Sequence, residues 1–296
     1  MAAEEPLSPF TRQRIARLAE AALREAGVVG QHPTPIAAVL EQLGVREQLD
    51  ISSLPAELEA RKPAGWKRVL GALWFKERTV FVDRSQPEPR QLFTDAHEAT
   101  HVMCEWHEAT LRLDNEDTLF REAKLQIEQE AGFGAAQLIF QGGRFHRRAL
   151  HEQVSMRTPL ALAPDYGASG HAALHHYTEE HPDAVALIVT GRYMSFDHTL
   201  PIWRVVESPS FRERFGSVRR LLPNGQVSLA EDHLLAEILT ASRTALDPPS
   251  KLLGVPDRDG TKVAFVAEAF FNQHCHFVML IERRARRLGR RVRLAG

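Results

Sequence analysis

The residues best suited to chemistry lie in Phe93-Thr94-Asp95-Ala96-His97-Glu98-Ala99-Thr100-His101-Val102-Met103-Cys104, around a His-Glu-x-x-His core. Residues four apart on a helix stand one above the other, so His97 and His101 can aim imidazole nitrogens at a single zinc ion. Glu98 leaves the helix on the adjacent face, close enough to a third coordination position to take a proton from water there as general base. That is the division of labour of a metallopeptidase. The competing reading is a helix carrying two hydrogen-bonded core histidines. Phe93, Ala96, Thr100 and Met103 recur at helical intervals beside the histidine column, so the pair borders a buried stripe. Pro87 and Pro89 mark the start of the helix and Asp95 follows near it.

Two histidines alone hold zinc weakly, whereas a catalytic site takes three protein ligands and leaves one position open. The stretch from Leu119 to Phe140 reads as a long helix whose interior, Ala131-Gly132-Phe133-Gly134-Ala135-Ala136, is small enough to let a second helix approach closely. Glu128 shares a face with Leu125, Ala131, Gly132 and Ala135, and a carboxylate on so apolar a face needs a cation. Glu130 shares its face with Gln126, Gly134 and Gln137, which reads as more solvated, so Glu128 is the preferred third ligand. Glu122 and Asp117 stand behind it, either as ligands or as carboxylates that hold a histidine tautomer. His107, in the polar segment between the helices, reads as a surface residue.

The two motifs together, Phe93 to His101 and then Glu128-Gln129-Glu130-Ala131-Gly132-Phe133-Gly134-Ala135-Ala136-Gln137-Leu138-Ile139, resemble the ImmA/IrrE family of bacterial zinc metallopeptidases. The family pattern reads rFtlAHExxH and then Exx(A/C)NxFAaxLLmP. The resemblance covers about Val69 to Gln141, and its specificity comes from the agreement of two separated motifs. It implies that His97 and His101 are the zinc histidines, Glu98 the catalytic glutamate and Glu128 the third ligand. Gly132 stands where the family commonly has Asn, and Gln141 where the helix commonly ends in Pro; neither is a ligand position. The resemblance further implies a protein substrate, a helix-turn-helix repressor of the XRE type, whose cleavage derepresses stress or mobile-element genes. No composition or spacing in this chain points to that substrate.

With 44% apolar and 25% charged residues in 296, the chain has the composition of an ordinary globular protein, long enough for one large domain or two to three small ones. A formal net charge of −1 offers no global attraction to nucleic acid or to an anionic membrane. Cys104 and Cys275 are too few for a disulfide framework, and Cys104 on the zinc helix reads as a buried thiol. The N-terminus lacks an apolar secretory core and no apolar run reaches membrane-spanning length, so a cytoplasmic location is expected.

The fold class expected is α+β, with a zincin-like catalytic domain over residues 1–150. A helical, helix-turn-helix-like segment follows over 151–182, and a C-terminal α/β domain over 183–296. Helices are expected over Thr11 to Ala26 and after Thr34-Pro35, and a loop over Asp50 to Gly65. Val69 to Phe75 and Thr79 to Val82 read as a β-hairpin that feeds the zinc helix and offers an edge for extended peptide. Residues 151–181 read as two helices broken at Pro164 to Ser169. As a DNA reader this segment is poor, because its second helix presents His171, His175, His176 and Glu179 where Arg, Lys or Asn would meet phosphates and bases. His171 and His175 are four apart but lack a following Glu and a third ligand. His171, His175, Tyr166 and Tyr177 are candidates for donating to an oxyanion.

Beyond Asp183, strands are expected at 184–189, 201–206, 263–266 and 276–281, with a helix over Ala230 to Ser242. Some members of the resembling family end in a GAF-like sensor, and this element order is compatible with one, as it is with a domain that only stabilises the peptidase. Seven arginines between Arg283 and Arg293 form a local basic cluster that fits a solvated tail or a contact with phosphates or an acidic partner. The expected function is a zinc-dependent endopeptidase. The rival is a non-proteolytic regulator, DNA-associated or ligand-sensing, with a structural zinc.

Overall fold

The computed structural model describes residues 7–59, 70–112, 118–193, 199–221, 228–230, 233 and 235–284. Asp117 and five of the seven arginines of the cluster lie outside these, as does the side chain of Glu122. The chain divides into two compact units, one of residues 1–145 with 164–169, the other of residues 146–163 with 170–296. Helices and two sheets make the whole an α+β protein. No helix among the described residues is long and apolar enough to cross a membrane.

The first unit opens with α1 (Pro9–Glu25), capped by the Ser8 hydroxyl accepting from the Thr11 amide, and α2 (Ile36–Gln42). Strand β1 (Glu47–Asp50), a single 3-10 turn and the short α3 (Ala56–Glu59) lead to β2 (Gly71–Trp74) and β3 (Thr79–Val82). The expected hairpin is therefore present, with β2 antiparallel to β3. The segment from Asp50 read as loop begins at the end of a strand, because β1 adds in parallel to the other edge of β3. Glu47-Gln48-Leu49-Asp50 carries no apolar alternation; pairing with the fully buried β3 makes it a strand.

The helix α4 (Glu88–Met103) starts at Pro87 and Pro89, as the sequence indicates. Its first turns are tied back to the strand it follows, since the Arg84 guanidinium donates to both Asp95 carboxylate oxygens at 2.7 and 3.0 Å. The helices α5 (Glu105–Arg112) and α6 (Thr118–Ile139) follow, and α6 packs along α4 and α1. At its end, Gln141 takes a left-handed conformation with φ 52° and buries its side-chain amide completely. Its oxygen accepts from the Gly30 amide at 2.7 Å, while its nitrogen lies 2.7 Å from the Gln31 carbonyl and 3.1 Å from the Thr34 hydroxyl. A proline there would have no side-chain amide for these bonds, so this departure from the family pattern fastens α6 to the loop between α1 and α2.

The chain passes to the second unit within α7 (Gly143–Ala149). Of the helix pair expected over 151–181, α8 (Arg157–Leu162) and α9 (Gly170–Glu179) belong to the second unit and the break at 164–169 to the first. The strands β4 (Val185–Thr190) and β5 (Thr199–Glu207) precede α10 (Pro209–Phe215), which the Ser208 hydroxyl caps. Then come β6 (Ser228–Ala230), α11 (Ala236–Ala241), β7 (Ser250–Pro256), β8 (Lys262–Phe271) and β9 (His276–Glu282). The six strands form one sheet in the order β6-β5-β4-β9-β8-β7 with every ladder antiparallel. Among the described residues, the C-terminal part, expected as α/β, thus shows antiparallel ladders in place of the parallel strands that crossover helices would produce. The helix expected from Ala230 shrinks to α11, because Ser228 to Ala230 pairs with Thr199 to Pro201 at the sheet edge. Its core gathers Ala186, Ile188, Phe211, Phe215, Phe265, Val278 and Leu280.

In the first unit, Glu20 of α1 accepts two bonds from the Arg144 guanidinium, at 2.6 and 2.9 Å. These bonds hold its carboxyl down to about 2, with Arg24 helping and partial burial opposing. A depressed folded value means that the pair contributes stability above pH 4.5, lost as pH falls from 4.5 toward 2. With both side chains partly exposed, Glu20→Gln is expected to cost about 1 kcal/mol at pH 7. The deficit should vanish near pH 2, and denaturant unfolding of both proteins across this pH range checks it.

Candidate metal centre

The centre is set by how closely α4 and α6 approach. Thr100, fully buried, turns its hydroxyl back to the Ala96 carbonyl and lays its side chain against Gly134, where any Cβ would collide with it. Ala96, Ala99, Ala131 and Ala135 are likewise fully buried. The small interior read from the sequence is the seam between the two helices.

Across this seam the structure brings His97, His101 and Glu128 together, with one donor atom from each lying within 4.8 Å of the others. The Nε2 atoms of His97 and His101 are 3.2 Å apart, and Glu128 Oε2 is 3.3 Å from His97 Nε2. Four-coordinate zinc with bonds of about 2.0–2.1 Å sets neighbouring donors about 3.3 Å apart, the edge of its tetrahedron. Two imidazoles and a carboxylate oxygen also suit zinc chemically. The donor set therefore fits the ion by type and by spacing. Among the described residues it is the one cluster of three such groups.

Glu98 lies beside this cluster and is buried. Burial pushes its carboxyl up to about 7, with Glu128 and Asp95 adding to the shift and His97 opposing it. The end of β2 lies against it: a Cβ added to Gly71 would sit 2.6 Å from Glu98 Oε1. Burial lowers His101 to about 3, and His97 and His107 push the same way. For His97 burial also acts downward, but the hydrogen bond to Glu128 and the charge of Glu98 outweigh it and the net shift is up. The His97 hydrogen bond holds Glu128 below the usual carboxylate range.

Several sequence expectations change here. Glu128 is on the open side of the seam, its side chain 49% exposed, and its neighbour Leu125 is exposed too. Glu130, read as the more solvated carboxylate, is buried, because α5 folds over that side of α6. It accepts from the Trp106 indole at 2.6 Å and from the Gln126 amide at 2.8 Å, and lies 2.9 Å from His107 Nε2. These donors outweigh burial and hold Glu130 below its ordinary value. His107, read as surface, is fully buried, with Nδ1 3.0 Å from His101 Nδ1. The adjacent Trp106-His107 and the four-residue step from Gln126 to Glu130 were the signals for this network. Cys104 is buried as expected, its thiol pushed up to about 12 chiefly by burial.

Among the oxyanion candidates, Tyr166 is buried in an aromatic cluster with His32, Phe140 and Phe145. The others belong to the second unit. Tyr177 is buried near His146 and His181, His171 meets the edge of Phe277, and His175 is 3.8 Å from Glu179.

Two histidines and a carboxylate on paired helices make a candidate metal site. Residues 48–178 match the Peptidase_M78 family, the IrrE N-terminal-like domain, which supports the expected resemblance to the ImmA/IrrE family. No curated protein matches the sequence at a significant level. A solved structure of a Mycobacterium tuberculosis transcriptional regulator is similar in fold, with 13% identity and a TM-score of 0.56 over 92% of this chain and 77% of that one.

The seam can be tested directly. Gly134→Ala would gain up to about 1 kcal/mol in helix propensity. It would also force α4 and α6 apart, because the Thr100 Cβ it meets is fixed to the backbone. Overpacking costs about 1–3 kcal/mol, so a net loss of about 1 kcal/mol is expected in denaturant unfolding.

Proposed function

We propose that the protein is a zinc-dependent endopeptidase in which His97, His101 and Glu128 hold the metal and Glu98 is the general base. The observation that carries this reading is the 3.2 and 3.3 Å spacing of the donor atoms beside a buried carboxylate. When bound, zinc supplies a Lewis acid that polarises the scissile carbonyl. Glu98, buried beside the donor set, takes the proton from the attacking water and returns it to the leaving amine. The half-exposed Glu128 leaves that side of the site open to a polypeptide. β2, at the edge of its sheet, offers backbone groups to an extended chain next to Glu98.

The substrate proposed is a regulatory protein, a helix-turn-helix repressor of the XRE type, cleaved to derepress stress or mobile-element genes. Support comes from the family, and the naming of the similar structure as a transcriptional regulator fits a regulatory setting. Residues 183–296 are proposed as a GAF-like sensor, supported by a separately packed antiparallel sheet with its own core.

Glu98→Gln keeps size and hydrogen bonding but cannot take up a proton near neutral pH. The variant is expected to fold, to bind zinc as the wild type does, and to lose repressor cleavage by a factor on the order of a hundred or more. Zinc content, thermal unfolding and turnover measured on one preparation check this; unchanged turnover with zinc retained contradicts the mechanism. In the same assay Glu128→Ala is expected to lose stoichiometric zinc.

A further inference from the structure

The buried groups behind the metal centre form a single line. His101 turns Nε2 toward His97 and Glu128 and turns Nδ1, on the other side of its ring, toward His107 Nδ1 at 3.0 Å. His107 in turn lies with Nε2 2.9 Å from Glu130 Oε2. Two ring nitrogens facing each other at that distance share one proton, so one donates and the other accepts. Which of them donates is decided at the far end of the line.

Glu130 is surrounded by donors: the Trp106 indole N–H reaches Oε2 at 2.6 Å and the Gln126 amide reaches Oε1 at 2.8 Å. A carboxylate in such a cage is an acceptor, and the proton on the third bond belongs to His107 Nε2. Neutral His107 then presents a lone pair at Nδ1, and His101 must carry its proton on Nδ1. That leaves the His101 Nε2 lone pair pointing into the donor set. Were His107 reversed or doubly protonated, it would donate to His101 Nδ1 and drive the His101 proton onto Nε2, where it would block a metal.

We propose that Glu130 and His107 are positioning residues that act as a buried tautomer lock on His101, directing its Nε2 lone pair at the metal through the chain Glu130–His107–His101. The lock rests on the zinc reading above. It gives Glu130 a role distinct from that of Glu128, two residues away on the same helix: Glu128 completes the donor set, and Glu130 orients a member of it. His107 and Glu130 are buried, at 0% and 2% exposure, so water does not compete for their hydrogen bonds.

The test uses the full chain and zinc itself. Long-range proton–nitrogen correlation spectra of histidine-labelled, zinc-free protein identify each tautomer. His107 is expected as the Nε2–H form and His101 as the Nδ1–H form. Finding His101 as Nε2–H, or His107 as Nδ1–H, overturns the lock and requires no variant to fold. Zinc affinity by chelator competition is then compared among wild type, His107→Phe, Glu130→Met and Glu130→Gln, with thermal unfolding of each zinc-free protein alongside. Loss of an outer partner costs about 10–100-fold in metal affinity, which is expected for His107→Phe and Glu130→Met. Glu130→Gln still accepts at one oxygen and should recover most of it. Zinc affinities within twofold of wild type for both His107→Phe and Glu130→Met, with only unfolding temperatures lowered, would make the network structural and overturn the proposal. Failure of the zinc reading looks different: wild type itself would take up no zinc, or Glu128→Ala would bind it unchanged.

Discussion

Three lone-pair donors from two helices converge on one point, and the first unit is organised to make that convergence possible. Nitrogen and carboxylate oxygen atoms 3.2 and 3.3 Å apart repel unless a proton or a cation lies between them. Holding them there requires α4 and α6 to touch along their backbones, which Gly134 against Thr100 and the buried alanines permit. The ends of the helices are fixed separately. Arg84 and Asp95 tie the start of α4 to the sheet, and the buried Gln141 amide ties the end of α6 to the loop after α1. The two residues of the seam and the two ties set the donor spacing.

The site was legible in the sequence where chemistry depends on local periodicity. The i, i+4 step from His97 to His101 needs nothing beyond one helix, and the small residues of α6 announce a close partner whatever that partner is. The sequence misplaces the faces of α6, because the residues that flank a position do not measure its burial. Leu125, Ala131 and Ala135 made the Glu128 side look apolar, yet Leu125 and Glu128 stand at the open side. Gln126 and Gln137 made the Glu130 side look wet, yet α5 covers it and supplies Trp106 and His107 as partners. A polar face on a helix is solvated only if no other element brings donors to it, and that is a tertiary fact.

The same limit applies to strands. The hairpin of β2 and β3 was visible from its own residues, whereas β1 and β6 are strands only because another strand's edge is there to pair with. In the second unit, β4, β5, β8 and β9 could be placed from their apolar runs, whereas β7, Ser250 to Pro256, is a strand not expected from the sequence. Their antiparallel order, with the first strand β4 beside the last, β9, lies in long-range pairing that no window of sequence contains.

The central claim is that His97, His101 and one carboxylate, Glu128, hold a four-coordinate zinc. X-ray absorption of the zinc-loaded protein reads the coordination shell most directly. The account expects two imidazole nitrogens and oxygen donors at about 2.0–2.2 Å, four ligands in all, with no sulfur. A sulfur shell at about 2.3 Å, or a single imidazole, would mean that other residues hold the metal and would contradict it.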